Sequence, residues 1–211
     1  MLFKDVVTPE RLKEVFTEIC TLDVVDDGLR IDVASLAASL ILEYGGVRVT
    51  FNAHVGQTRT AVQIDVGVGD AVTPVARRAK YPTLLDFPAP ELRMYPPETV
   101  IAEKFETIVK RGMVNSRMKD FYDIWKMRNL FSFDSQVLKS AIAKTFARRK
   151  RDLPVECPIA LTEQFANDPL KRKQWQAFLR KSRLSVGASL LPISFMTFRF
   201  SCCLFLATDS V

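Results

Sequence analysis

Two alternating runs in the first third of the chain constrain its fold most strongly. Apolar residues recur at every second position from Val47 to Val55 and again from Val62 to Val68. A period of two is typical of β-strands with one buried face, so the polar link at residues 56–60 predicts an antiparallel hairpin. In the second strand Asp65 and Gly67 point away from the aliphatic side. Asp65 therefore lies either on a solvated outer face or beside a group whose approach Gly67 permits.

The segments around this hairpin carry weaker signals. Thr8 and Pro9 are a good N-cap and first helical residue, and they open a predicted helix. Leu29–Val33 predicts a short strand, whereas Ser35–Glu43 fits a helix or a loop. Six prolines interrupt residues 73–97, which predicts an extended connector. The stripe of the first helix is Leu12, Val15, Phe16 and Ile19.

The connector leads into a helix bounded by proline and glycine. Pro96 and Pro97 suit its first turn, and Gly112 suits its end because glycine tolerates the left-handed conformation. At about 100° per residue, Lys104 falls inside the apolar arc of this helix. Its ammonium group must either extend past the core to water or meet an anion. The apolar arc consists of Val100, Ile101, Phe105 and Ile108.

A second helix follows one short loop later and carries charges beside its apolar stripe. Asn115 or Ser116 is suited to cap it. Asp120 and Asp123, three residues apart, share one side of it. These acids and the neighbouring Arg117 and Lys119 are either solvated partners or part of a site with Lys104. The predicted stripe is Met118, Phe121, Tyr122 and Trp125.

Basic runs mark the last third of the chain. A further helix over residues 137–146 ends in Arg148–Arg151, and Lys171–Lys173 and Arg180–Arg183 flank a segment that contains Trp175. Such runs are usually solvated faces, but they also suit the phosphate backbone of RNA.

Composition excludes several kinds of site. A net charge of +6 permits a polyanionic partner without requiring one. His54 is the single histidine, which argues against a histidine-based zinc site and a Ser-His-Asp triad. No signal peptide opens the sequence, so we expect a cytoplasmic protein. The apolar tail is interrupted by Pro192 and Arg199, so we expect no stable membrane insertion, with a membrane contact as the lesser alternative. The four cysteines, which lack metal-ligand spacing, are Cys20, Cys157, Cys202 and Cys203.

Several segments, in this order, resemble the nucleotidyltransferase AbiEii/AbiGii toxin family, the toxin halves of bacterial toxin–antitoxin and phage-defence systems. The most distinctive are Glu98–Lys104 and Asn115–Ile124. The resemblance fades after about Arg183. The other matching segments are Val7–Leu12, Glu43–Val49, Gln63–Gly67, Tyr81–Pro88 and Trp175–Arg180.

This resemblance implies an α+β fold similar to the polymerase-β-like nucleotidyltransferases. It implies a sheet remnant over residues 1–95 and a helical domain over residues 96–183. The apolar composition of residues 184–211 does not resemble the family's usual ending, so we expect an atypical tail there. The resemblance also implies Mg²⁺-dependent transfer from an NTP to an RNA acceptor, with tRNA expected, and a cognate antitoxin. By the same resemblance the catalytic residues are Asp65, as a metal ligand, Lys104, on the nucleotide phosphates, and Asp120. The implied nucleotide-binding neighbours are Arg117, Lys119 and Asp123.

One family motif is missing from the sequence. No Gly-Ser turn with Asp-x-Asp precedes Asp65, and Met1–Asp5 is similar to the segment that follows this motif, with Asp5 at most a remnant. We therefore expect an N-terminally truncated chain in which Mg²⁺ binding is weak or absent and catalysis is impaired, because hard cations need several oxygen ligands.

Three functions stay open on these grounds. The first is a nucleotidyltransferase toxin, and the second is a non-catalytic remnant that binds nucleotide, RNA or an antitoxin. The third is a helical RNA-binding module that uses the basic runs and Trp175.

Overall fold

The computed structural model describes residues 2–3, 7–41, 45–84 and 86–184. These residues belong to two compact units, residues 1–70 and residues 71–211. Asp5 and residues 185–211 of the predicted tail lie outside the described residues, and the predicted domain boundaries stay predictions. The elements are β1 (Leu2–Phe3), α1 (Pro9–Cys20), β2 (Leu29–Ile41), β3 (Gly46–Val55), β4 (Thr58–Val68), β5 (Arg77–Lys80), β6 (Glu91–Met94), α2 (Pro97–Arg111), α3 (Met118–Leu130), α4 (Ser135–Arg148), α5 (Glu163–Asn167) and α6 (Pro169–Lys181), with 3₁₀ turns at Gly112–Val114 and Ile159–Leu161.

The first unit is a four-stranded sheet covered by one helix. The strand order is β1-β4-β3-β2, with β1 parallel to β4 and the other pairs antiparallel. Helix α1 begins as predicted, because the Thr8 hydroxyl accepts a hydrogen bond from the Arg11 N–H and Pro9 is the first helical residue. Its Leu12 and Phe16 are buried against the sheet. The sheet side of this core consists of Leu36, Val47, Val49 and Val66.

The hairpin prediction is confirmed, but its link is shorter than predicted. Val55 pairs with Thr58, so only residues 56 and 57 form the turn. Gly56 takes a positive φ of 56°, which a two-residue hairpin turn requires. Residues 58–60 are exposed strand rather than loop, because pairing with β3 continues to the turn.

The prediction of a helix or loop over Ser35–Glu43 is wrong for residues 35–41. The strand predicted at Leu29–Val33 continues to Ile41, and Ala37–Ile41 pairs with β3. Pairing with a neighbouring strand decides the conformation of a segment whose local preference is ambiguous. An irregularity separates the two paired parts, and there the Ser35 hydroxyl donates to the Asp32 carbonyl and accepts from the Asn52 N–H.

The second unit begins with the connector, which is extended as predicted but also contains a hairpin that the sequence did not predict. Strands β5 and β6 pair antiparallel, and every residue of both strands is exposed. At the base of the connector the Thr99 hydroxyl donates to the Thr73 carbonyl and accepts from the Thr73 N–H, both at 2.8 Å. The connector is therefore fixed to the first turns of α2.

Helices α2 to α6 and the 3₁₀ turn at Ile159–Leu161 enclose the second core. Helix α2 ends at Gly112, whose φ of 48° is positive as predicted, although its ψ of −132° is not that of the left-handed helix. The cap predicted for α3 is wrong. Arg117 precedes its first residue, while the Asn115 side chain accepts from the Arg117 N–H and forms a turn just before the helix. The largest buried side chains are Trp175, Phe105, Phe121, Phe146 and Phe165.

Among the residues that the structure describes, no helix combines the length and the apolar character needed to cross a bilayer. The prediction about the apolar tail concerns residues outside this set.

Candidate functional site

Lys104 lies on the inner part of α2 and is largely buried. Phe105, its neighbour along the helix, is completely buried, and the Lys104 side chain is 20% exposed. The sequence left open whether this ammonium group reaches water or meets an anion, and the structure shows the second arrangement. The lysine is held at the edge of the helical core, with its charge directed at α3.

Two carboxylates of α3 receive the Lys104 ammonium group. Its Nζ lies 2.9 Å from Oδ1 of Asp120 and 2.7 Å from Oδ2 of Asp123. Asp120 is buried, with its side chain 3% exposed, and Asp123 is more open at 19%. The spacing of three residues brings both acids to the side of α3 that faces α2. The predicted proximity of these acids is confirmed, and both contact the same cation.

Two more cations lie on the outer side of these acids. Nε of Arg117 is 2.9 Å from Oδ2 of Asp120, and Nζ of Lys119 is 2.5 Å from Oδ2 of Asp123. Their side chains are 55% and 70% exposed. The five groups together carry three positive and two negative charges. This surface therefore has one positive charge in excess and can attract a phosphate.

The electrostatics of Lys104 decide its chemical role. Burial lowers the pKa of Lys104, but the hydrogen bonds and charges of Asp123 and Asp120 outweigh this effect and raise it above its ordinary value. The amine is thus protonated at neutral pH. A lysine that acts as a nucleophile or general base needs a lowered pKa, so Lys104 is suited only to binding and charge stabilisation.

Asp65 lies in the other unit, on the exposed side of β4. Arg48 stands directly opposite it on β3, and the guanidinium group binds both carboxylate oxygens, at 2.7 and 2.9 Å. The space beside Gly67 is filled from within the same unit, because a Cβ there would lie 2.7 Å from Oδ2 of Asp70. The acid is thus part of a cross-strand ion pair.

The structure brings five of the six predicted site residues together. Lys104, Asp120 and Asp123 are in direct contact, and Arg117 and Lys119 extend the network outward. Asp65 belongs to the first unit and these five residues to the second. The catalytic and nucleotide-binding roles of these residues, and the convergence of Asp65 with Lys104 and Asp120, stay predictions.

The described residues do not fit a Mg²⁺ site on their own. No group of three or more His, Cys, Asp or Glu side chains among them is arranged to hold a metal ion. Asp65, the one predicted metal ligand, uses both oxygens for Arg48, whereas Mg²⁺ requires several oxygen ligands in near-octahedral geometry.

Sequence reasoning missed a buried acid two residues beyond Lys104. Glu106 is 1% exposed, and its carboxylate pairs with Arg149 and, at 2.5 Å, with Nε of Arg151. Part of the first basic run therefore fixes the end of α4 to α2 instead of forming a simple solvated face. The predicted apolar arc gave no such signal, because at about 100° per residue Glu106 falls on the side opposite Ile101 and Phe105.

The second basic run also contains a buried cation. Lys171 is 4% exposed, and its Nζ donates to the Asn115 carbonyl at 3.0 Å and lies 5.2 Å from the centre of the Phe165 ring. Trp175, one turn along α6, is 1% exposed. The hypothesis that the basic runs and Trp175 bind RNA is therefore wrong for Lys171 and Trp175, because neither side chain reaches the surface. The four-residue spacing of Lys171 and Trp175 was the signal that they share one face.

Comparison with models of protein families gives a match over most of the sequence. A family model described as "Nucleotidyl transferase AbiEii toxin, Type IV TA system" matches residues 3–192, which is most of the chain. A search of curated proteins found no similar sequence.

Proposed function

We infer the function from the fact that this chain belongs to the AbiEii nucleotidyl transferase toxin family, and we propose that it acts on an NTP and an RNA acceptor. In this proposal a nucleotide passes to the RNA, with tRNA as the first acceptor to test, and a cognate antitoxin restrains the toxin. A type IV toxin–antitoxin family implies such a partner. We place the activity in the cytoplasm, where both substrates are abundant.

The observation that supports this proposal best is the geometry at Lys104. A protonated ammonium group, held by Asp120 and Asp123, is bordered by the exposed side chains of Arg117 and Lys119. Phosphoryl chemistry depends mainly on positioning and on charge stabilisation. The two acids fix Lys104 in place, and the excess positive charge favours a triphosphate. Lys104 would bind phosphate oxygens, while Arg117 and Lys119 can turn toward the nucleotide.

A transfer assay tests this proposal. The purified chain is incubated with labelled NTPs, Mg²⁺ and total tRNA, in parallel with a version extended at its N-terminus by a family Asp-x-Asp segment. We expect label transfer by the extended version and its loss on Lys104→Met. Lys126→Met is the matched control, because Lys126 is an exposed lysine of the same helix as Asp120 and has no ion pair with a described residue. Transfer that is insensitive to Lys104→Met would exclude the proposed role of this lysine.

A second function is favoured by a specific observation, the pairing of Asp65 with Arg48. In this arrangement Asp65 is engaged by Arg48 and is not free to bind a metal ion, yet the chain can still bind nucleotide, RNA or an antitoxin without turnover. In this case a nucleotide should stabilise the second unit against heat, and the effect should survive Asp65→Asn and vanish in Lys104→Met. Metal-dependent turnover by the chain of this sequence would refute the non-catalytic function.

A further inference from the structure

We propose that the exposed hairpin of β5 and β6 binds the sugar–phosphate backbone of a single-stranded RNA segment. This inference rests on the proposed function, because it supplies a binding surface for the RNA acceptor. It uses a different part of the second unit from the Lys104 network.

The hairpin has two different faces. Residues directly opposite each other in an antiparallel pair lie on the same face, and successive residues alternate between faces. Arg78 is opposite Arg93, and Lys80 is opposite Glu91. These four residues form what we call the basic face, with three positive charges and one negative charge. The opposite face consists of Arg77, Met94, Ala79 and Leu92.

The positive charges of the basic face do not stabilise the hairpin. Like charges directly opposite each other in a sheet are destabilising, and Arg78 and Arg93 form such a pair. Neither these arginines nor Lys80 forms an ion pair with another described residue, and all three are exposed. Neighbouring residues of one strand face lie about 7 Å apart, which is within the screening length at physiological salt. The potentials of the three cations therefore add, and a polyanion would relieve their repulsion.

Aromatic groups at the end of the hairpin favour nucleic acid over an acidic protein. The loop between the strands is closed by a hydrogen bond of 2.9 Å from the Tyr81 N–H to the Pro90 carbonyl. Tyr81 and Phe87 in this loop are 52% and 44% exposed. Cations that follow a backbone, next to aromatic rings on which bases stack, are the usual means of binding single strands.

The position of the hairpin suits the binding of an RNA acceptor, because the hairpin belongs to the same unit as Lys104. Its base is fixed to α2 through Thr73 and Thr99, and Lys104 lies five residues further along this helix. At 1.5 Å per residue this is about 7.5 Å along the helix axis. An RNA strand held on the hairpin would thus lie in the same unit as the predicted nucleotide site.

Fluorescence anisotropy tests this proposal with a labelled single-stranded RNA. A length of about 20 nucleotides is longer than the sites that single-strand-binding proteins commonly occupy. The test variant is Arg78→Gln/Lys80→Gln/Arg93→Gln. Its control is Lys110→Gln/Lys126→Gln/Lys144→Gln, which removes the same charge from exposed helix positions of the second unit outside the basic runs. We expect the test variant to bind about tenfold more weakly and to lose about 2 units from the slope of log Kd against log salt, since each single-strand phosphate contact contributes about 0.7. The control should change affinity by less than about twofold, as for charges that make no phosphate contact.

Further outcomes decide the proposal. Arg78→Lys/Arg93→Lys keeps the charge and should retain most of the affinity. Equal losses in the test and control variants would mean that only total charge matters, and this would overturn the assigned surface. So would an unchanged affinity of the test variant. If the unaltered chain binds no RNA but binds its antitoxin through Leu92 and Met94, the hairpin is a protein interface and the proposal is wrong.

This binding assay contains no NTP, so its result is independent of turnover. Failure at the hairpin with Lys104-dependent transfer intact would reject only the RNA surface. RNA binding through the hairpin without any transfer would reject only the catalytic proposal.

Discussion

Replacing Lys104 by methionine should destabilise the second unit far more than replacing Lys119 by methionine. Both lysines pair with Oδ2 of Asp123, but their side chains are 20% and 70% exposed. Lys104 also binds Asp120, whose side chain is 3% exposed. The two substitutions therefore compare a largely buried ion pair with an exposed one inside a single network.

The expected magnitudes follow from these exposures. A hydrogen bond to a charged group is worth about 1.5–3 kcal/mol, and breaking a fully buried pair costs about 3–5 kcal/mol. Asp120 keeps Arg117 and Lys104 is not fully buried, so we expect Lys104→Met to cost about 2–3 kcal/mol. Lys119→Met removes an exposed pair and should cost less than about 1 kcal/mol.

Urea unfolding followed by tryptophan fluorescence measures this difference. The two tryptophans of the chain, Trp125 and Trp175, both lie in the second unit, so their emission reports on that unit. With a slope of about 1–3 kcal/mol per M urea, Lys104→Met should lower the midpoint by about 1 M. The double variant Lys104→Met/Asp120→Asn should recover part of the loss, because it no longer leaves a buried carboxylate short of a cation. Equal and small effects of the two single substitutions would refute this description of the network.

Three further predictions concern other features of the second unit. Because its pKa is raised in the folded state, the ammonium group of Lys104 stabilises the fold fully below the ordinary value of 10.5 and loses this effect as pH rises through the folded pKa. The difference in free energy of unfolding between the unaltered chain and Lys104→Met should therefore stay constant from neutral pH to that value and then shrink. Urea titrations at a series of pH values measure this difference, and a difference that grows with pH would contradict the prediction. Lys171→Met should lower the free energy of unfolding by about 1–3 kcal/mol, because the buried Asn115 carbonyl loses its hydrogen-bond donor. Lys173→Met, at an exposed position of the same helix, should have almost no effect. Thermal unfolding of both variants measures the two effects, and equal losses would contradict the burial of Lys171. Gly112→Ala should cost about 1–3 kcal/mol, because φ is 48° and the new Cβ would lie 3.2 Å from the side chain of Ile159; an unchanged melting temperature would show that the helix end relaxes without strain.

Local patterns predicted much of the fold correctly. The period-two runs identified β3 and β4, and the Thr8–Pro9 and Pro97–Gly112 signals identified α1 and α2. These signals succeed because they reflect backbone preferences and one-sided burial, which act within a few residues. The same patterns failed for residues 35–41 and for the hairpin of β5 and β6, where pairing with a distant or exposed partner decides the conformation.

The candidate site was predicted only in part, for a related reason. Helical spacing indicated that Lys104 lies in an apolar arc and that Asp120 and Asp123 share a side of α3. It left open whether the lysine and the acids meet. For the buried Lys171 a spacing signal existed, whereas Glu106 falls opposite the predicted apolar arc of its helix. The partners of these two charges are 56 and 43 residues away in the chain.

The sequence by itself determined the family, the order of the main elements and the amphipathic faces of the helices, because each of these follows from residue types at fixed local spacing. Only the tertiary structure decided which charges are buried and paired. The packing of α2 against α3 makes Lys104 a protonated partner of two acids. The pairing of β3 with β4 places Asp65 opposite Arg48, with which it forms an ion pair. Such pairs join residues far apart in the chain, and their free energies depend on the solvent exposure that packing creates.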